Sequence, residues 1–276
     1  MSVPIVTLND GVQIPQLGLG VWQVTDDEAT PVVATALEVG YRHIDSAQGY
    51  QNERGVGKAI RESGIPRDEI FVTTKLTNEF HLRDDARRAT EQSLEKLGLD
   101  HLDLYLIHWP ATLKYGDAYL ESWEVMNELK SEGLVRSIGV SNFNPEHLDK
   151  LLTVSSTVPS VNQVECHPTF LRTDLLPDLR ARGTVLESWS PLGQASDLEA
   201  PTVVDIASSL GRTPAQVIIR WHLQHGFIVI PKSVHAERIA SNFDVFDFEL
   251  DADQITRIDA LNAGNRIGPD PVTAPW

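Results

Sequence analysis

Short apolar runs alternate along most of the chain with longer segments whose apolar residues recur every three or four positions. Runs of strand length fall at 16–20, 42–46, 70–76, 103–108, 137–141, 161–166, 185–189 and 227–231. Helical spacing separates them near 26–39, 52–62, 83–97, 117–131, 145–152, 173–182, 201–209 and 214–225, with two further helical segments near 235–241 and 251–260. This alternation predicts a parallel sheet with crossover helices, and eight strands is the number that closes a (β/α)8 or TIM barrel. Boundary residues agree: Thr173 and Thr213-Pro214 stand where helices should start, while Gly40, Gly64, Gly98, Gly133, Gly183 and Gly226 stand where they should end. Ahead of the first strand, Val6 to Ile14 reads as a hairpin cap, because Asp10-Gly11 supplies the turn.

No linker or shift in composition divides residues 1–276, which favours one barrel domain with extra C-terminal helices. The competing fold is a doubly wound sheet. Gly18-Leu19-Gly20 could open a dinucleotide fingerprint, but Gln23 occupies the third glycine position, so the pair reads instead as a tight first strand. With 41% apolar and 22% charged residues, order is expected nearly throughout. A net charge of −16 disfavours nucleic acid and anionic membranes, so an anionic ligand needs a local basic pocket. Cys166 is the sole cysteine, which excludes an internal disulfide. Met1 to Pro4 shows no export signal, and no run is long enough to cross a bilayer. A monomeric cytoplasmic protein is the expectation.

Three of the strand-like runs end in ionisable groups, Asp45, Lys75 and His108, and Tyr50 follows the first by five residues. In a parallel barrel such ends converge on one mouth. A phenol can act as the acid in hydride reduction of a carbonyl if a neighbouring ammonium lowers its pKa toward neutrality. Tyr50 and Lys75 suit those roles; Asp45 would hold Lys75, and His108 would orient the carbonyl without needing a charge. Singly, each residue also fits a purely structural part: a buried ion pair, a core histidine, a packing tyrosine. Spacing among His43, His101, His108, Cys166 and His167 is unsuited to a metal, and His222 and His225 fall on an expected surface helix.

Taken together, ordered motifs across the chain resemble the aldo-keto reductases. They are Gly40 to Ala47 with Tyr50 and Asn52-Glu53; Thr74-Lys75-Leu76; Leu102 to Pro110; Gly139 to Phe143; Asn162-Gln163 with His167-Pro168; Ser190 to Gly193; and Ile230 to Val234 with Arg238 and Asn242. The segment after Lys232 is similar to the short bacterial branch containing 2,5-diketo-D-gluconate reductases. The resemblance implies Tyr50 as proton donor, Lys75 and Asp45 as its support, and His108 as the carbonyl-orienting group.

It also implies a nicotinamide cofactor, NADPH first. Ser141, Asn142 and Gln163 would bind its carboxamide and Trp189 would stack on the ring. Ser190, Leu192, Gly193 and Gln194 would approach the pyrophosphate, and Lys232, Ser233, Val234, Arg238 and Asn242 the adenosine phosphate. His235 and Ser241 depart from frequent family residues, which leaves some NADH use open. Trp22, Tyr50, His108 and Trp109 should line the substrate pocket, with loops near Phe80 and Tyr115 and the unpatterned tail from Gly264 to Trp276 as walls. Thr77 and Gln48-Gly49 replace bulkier residues and suggest a more open pocket. Small aldehydes, dicarbonyls such as methylglyoxal, and keto-sugars fit. Two rivals are a noncatalytic NADPH-binding regulatory module and a barrel hydrolase using Asp45 and Glu165.

Overall fold

A computed structural model describes residues 3–275; Met1, Ser2 and Trp276, at the ends of the expected domain and tail, lie outside the described residues. The expected hairpin forms from β1 (Ile5–Thr7) and β2 (Gln13–Pro15), paired antiparallel. Next come β3 (Leu19–Gly20), α1 (Asp26–Val39), β4 (His43–Asp45), α2 (Glu53–Glu62), β5 (Phe71–Leu76), α3 (Arg83–Leu97) and β6 (Leu102–Ile107). The chain continues through α4 (Thr112–Tyr115), α5 (Tyr119–Ser131), β7 (Val135–Ser141), α6 (Pro145–Val154), β8 (Val161–Glu165), α7 (Leu176–Arg182) and β9 (Val185–Trp189). It ends with α8 (Pro201–Leu210), α9 (Pro214–Gln224), β10 (Ile228–Val229), α10 (Ala236–Phe243) and α11 (Ala252–Asp259).

Strands β3 to β10 form one parallel sheet in sequence order. Its edges meet: Val229 N donates to Gln16 O at 2.9 Å, and Gly18 N donates to Val229 O at 2.9 Å, so the sheet closes into the expected barrel. The first-strand glycines belong to this closure. A Cβ on Gly18 would lie 2.5 Å from the His43 ring, and one on Gly20 would lie 2.9 Å from Ile230 O. They serve close packing, as the missing third fingerprint glycine implied.

Strand alternation divides the apolar residues into two layers. Tyr105 and Ile107 of β6 point outward into the large core beneath the helices. Leu104 and Leu106 point inward and meet Leu8 and Ile14 of the hairpin, which plugs the barrel's lower end. Helix caps follow local chemistry: Thr25 with Glu28 and Thr213 with Gln216 form reciprocal capping boxes.

Several boundaries differ from the sequence reading. The helix expected from 173 begins at Leu176, because Arg172 turns with φ 60° and residues 173–175 belong to that turn. A separate short helix, α4, precedes α5 in the region expected to start at 117. Only Ile228 and Val229 pair in the expected 227–231 strand. Residues 193–199 wind into tight turns with positive φ at Gln194 and Ala195. His222 is not on a surface: it is buried on the inner side of α9, its Nε2 3.1 Å from Pro191 O. Among the described residues, no helix is long and apolar enough to cross a membrane.

Candidate active site

The upper ends of β4 and β5 bring Asp45 and Lys75 together inside the barrel. Lys75 Nζ donates to Asp45 Oδ1 at 2.6 Å and to Ser46 O at 2.8 Å, and its third direction faces Tyr50 Oη at 3.5 Å. Lys75 has no exposed surface and Asp45 has 2%. The short turn after β4 carries Tyr50 over this pair, with its ring 5.6 Å from that of His108 in an edge-on arrangement. Gln163 Nε2 donates to Asp45 Oδ2 at 2.8 Å, so both oxygens of that carboxylate are engaged.

Burial opposes the charge on Lys75, but Asp45 and Tyr50 outweigh it and hold its pKa above the ordinary value. For Asp45, burial pushes the pKa up while Lys75 and Gln163 pull it down. Close pairing and the Ser46 contact favour the ion pair. Tyr50 departs from the sequence expectation. Burial raises its pKa, and Lys75 opposes this without prevailing because Asp45 largely cancels the ammonium. The phenol therefore keeps its proton. Burial, helped by Lys75, lowers His108 to about 3, so its imidazole is neutral at ordinary pH.

These groups open into a cavity of about 310 Å³. Trp22, Tyr50, His108 and Trp109 line it, as do Ser141, Asn142, Gln163, Trp189, Ser190, Gln194 and Lys232. Lys75 sits behind the lining. A groove of about 730 Å³ adjoins the cavity through Trp22, Ser190, Pro191, Gln194 and Lys232. Leu192, Ser233, Val234, Arg238 and Asn242 line it, along with His235 and Ser241. Of the expected cofactor residues, Gly193 lines neither space; it is a buried turn residue with φ 59°. Phe80 and Tyr115 also fall outside the cavity lining: Phe80 packs on the core and Tyr115 against His81.

The polar residues beside Trp189 form a linked set. Asn142 Nδ2 donates to His108 O and to Ser141 Oγ, both at 3.0 Å, while Asn142 Oδ1 accepts from Trp189 Nε1 at 2.9 Å. The aromatic plate is thus bonded to the amide beside it. Along the groove Lys232 and Arg238 are exposed, and neither forms an ion pair among the described residues. In an acidic protein this leaves two cations for a phosphate.

The expected tail wall is made by Gly268 and Pro269; a Cβ on Gly268 would lie 2.3 Å from Trp189 Cη2, so only glycine fits this crossing. Sequence reasoning missed one contributor, Glu187, fully buried inside the barrel and pushed up to about 8, first by burial and then by Asp45. Its place in β9, two residues from Val185 and so on the same inward face, was the available signal. Glu165, the second carboxylate of the hydrolase alternative, is occupied: it accepts Ile267 N at 2.6 Å and Gly268 N at 2.9 Å and meets His167 Nε2 at 3.1 Å.

Comparison with known proteins places this geometry. The model of the Aldo/keto reductase family matches residues 16–263. An aldo-keto reductase of Mycolicibacterium smegmatis is 52% identical over 271 residues, covering 98% of each chain. The methylglyoxal reductase DkgA of Escherichia coli is 48% identical over 269 residues, covering 97% of this chain and 96% of that protein. A substituted form of Gox0644, solved with NADPH, is 44% identical and superposes with a TM-score of 0.96 over the full length of both chains. The chain belongs to the aldo/keto reductase family.

Proposed function

We propose that this reductase converts small aldehydes and ketones to alcohols with NADPH, and that Tyr50 delivers the proton. The carrying observation is the convergence of a proton-bearing Tyr50, the Lys75–Asp45 pair and neutral His108 on one wall of the cavity. Bound NADPH supplies the hydride. Its carboxamide suits the Ser141, Asn142 and Gln163 edge, Trp189 offers the stacking face, and Lys232 and Arg238 suit the adenosine phosphate. These assignments are supported by the continuous cavity and groove and by the NADPH complex of Gox0644.

As the carbonyl oxygen gains charge, Tyr50 passes it a proton and the neighbouring Lys75 ammonium steadies the phenolate left behind. Asp45 keeps Lys75 in place. His108 acts as a hydrogen-bond donor, which a neutral ring can do from one nitrogen. A space of about 310 Å³ that must hold a nicotinamide ring as well leaves room for a small carbonyl compound. Dicarbonyls of the methylglyoxal kind fit that limit, and the likeness to the methylglyoxal reductase DkgA supports them. Residues 1–276 act as one domain, and a single buried thiol suits a reducing cytoplasm.

A carbonyl panel assayed by NADPH consumption, with fluorescence titration of NADPH and NADH, tests the reading. Turnover of small aldehydes and a lower Kd for NADPH are expected; NADPH binding without turnover of any carbonyl would instead favour a regulatory module. Tyr50→Phe should reduce kcat by about 10²–10⁴-fold while NADPH binding persists. Full turnover in that variant would remove Tyr50 from the donor role.

A further inference from the structure

One imidazole lies between two walls of the site. His167 Nδ1 is 2.8 Å from Asp197 Oδ2, and its Nε2 is 3.1 Å from Glu165 Oε1. All three side chains are buried. A neutral imidazole carries a single N–H, so bonding both carboxylates at once requires the doubly protonated ring. Burial opposes that charge, but Asp197 and Glu165 outweigh it and hold the pKa above the ordinary histidine value.

Each carboxylate holds a different wall. Glu165 takes the backbone amides of Ile267 and Gly268, fixing the tail where it crosses Trp189. Asp197 takes Thr169 N at 3.1 Å and Thr169 Oγ1 at 2.9 Å, tying the 193–197 turn to the loop after β8. A Cβ on Gly193 would meet Asp197 Cγ at 2.7 Å, so the turn folds tightly on this carboxylate. Gln194 of the same turn lines both cavity and groove.

We infer that His167 is a positioning residue that couples the turn beside the cofactor groove to the tail wall of the carbonyl pocket. This rests on reading groove and cavity as the NADPH and carbonyl sites. Seating the cofactor against the 193–197 turn then sets the position of Gly268 and Pro269, and a loosened turn loosens the pocket. The groups facing the imidazole are Glu165 at the end of β8, Asp197 after β9, Thr169 and Phe170 from the loop after β8, and His222 of α9. Loss of a proton from His167 leaves one carboxylate without its donor. The coupling is therefore intact below the His167 pKa and weakens as pH rises through it.

Asp197→Asn loosens the turn without touching the pocket lining, but it also reaches the tail through Thr169, whose carbonyl accepts Ala263 N and Asn265 N at 3.1 Å each. His167→Gln, which leaves the Asp197–Thr169 bonds in place, therefore isolates the imidazole. In Asp197→Asn the carbonyl KM should rise about fivefold or more with kcat changed less than threefold, and the amide resonances of Ile267 and Gly268 should shift. His167→Gln should raise the NADPH Kd and the carbonyl KM together and abolish the alkaline rise of KM expected of the unmodified enzyme. Variants with lower Tm but unchanged KM and unchanged pH profile would reduce His167 to a structural role and overturn the inference. If His167→Gln does not fold, the unmodified enzyme decides: the Ile267 and Gly268 amide resonances should move together with the alkaline rise of KM, and amides that stay still through that rise overturn the inference. The amide shifts need no turnover: shifts in a protein without carbonyl activity would keep the coupling and sink the reductase reading, whereas still amides in an active enzyme would sink the coupling only.

Discussion

The barrel holds a buried carboxylate paired with cations at each end, and the two are used differently. At the lower end Asp103 of β6 accepts Val72 N at 2.9 Å and pairs with Arg67 and Arg136, each at 2.7 Å. Both oxygens are fully committed, and the guanidinium groups reach solvent, which lowers the cost of their charge. At the upper end Lys75 and Asp45 are sealed from water, yet the ammonium still faces Tyr50. Asp103 ties β5, β6 and β7 together; the upper pair keeps one direction unspent and turns it toward the cavity. A buried ion pair alone therefore says little about purpose. What differs is whether its charge is exhausted by fixed partners.

Substitution of each pair would test this division. Lys75→Met should lower kcat by about 10²-fold or more, read by single-turnover NADPH consumption. Its stability cost should fall below the about 3–5 kcal/mol typical of a broken buried pair, because burial already favours protonation of Asp45. Asp103→Asn should do the reverse. A loss of about 1–3 kcal/mol in urea unfolding is expected, with kcat within twofold at temperatures where the variant is folded. A large fall in kcat for Asp103→Asn would break the comparison by showing that the lower end sets the geometry of the upper one.

The lower end was legible mainly as pattern and the upper end as chemistry. Asp10-Gly11 announced the hairpin, and eight apolar runs announced the barrel it plugs. Asp45, Lys75 and His108 stood out because strand ends of a parallel barrel share a mouth. Tyr50, on a turn with no periodicity, was a candidate from its closeness to Asp45 and its phenol chemistry, and the family motif strengthened that role. The tail was expected as a wall, but how it is held was illegible, because that hold runs through backbone amides of Ile267 and Gly268, which no side-chain pattern records. His222 was misplaced because α9 is wedged between the barrel and the 190–197 loop and so has two inward faces, whereas spacing alone assigns one. The Tyr50 pKa direction was misjudged for a related reason: the sequence displays Lys75 as a charge but not the burial and the Asp45 contact that offset it.

Glu187 sharpens the comparison with a smaller effect. It lies below the upper pair with His43 Nε2 at 3.7 Å, and neither of its oxygens has a hydrogen-bond partner. His43 is itself held neutral, burial lowering it to about 3, and the pull of Lys75 on Glu187 is outweighed by burial and by Asp45. Because its folded pKa is raised to about 8, the folded protein holds a proton that the unfolded chain has released by mid-range pH. The resulting stability is fully present below about pH 4.5 and is lost as pH rises through about 8. Glu187→Gln cannot lose that proton. In urea unfolding at pH 5, 7 and 8, the stability difference should therefore move steadily in favour of the variant as pH rises. A constant difference across the three pH values would show that Glu187 does not titrate in this range, and the contrast between the two ends would then rest on Tyr50 and Lys75 alone.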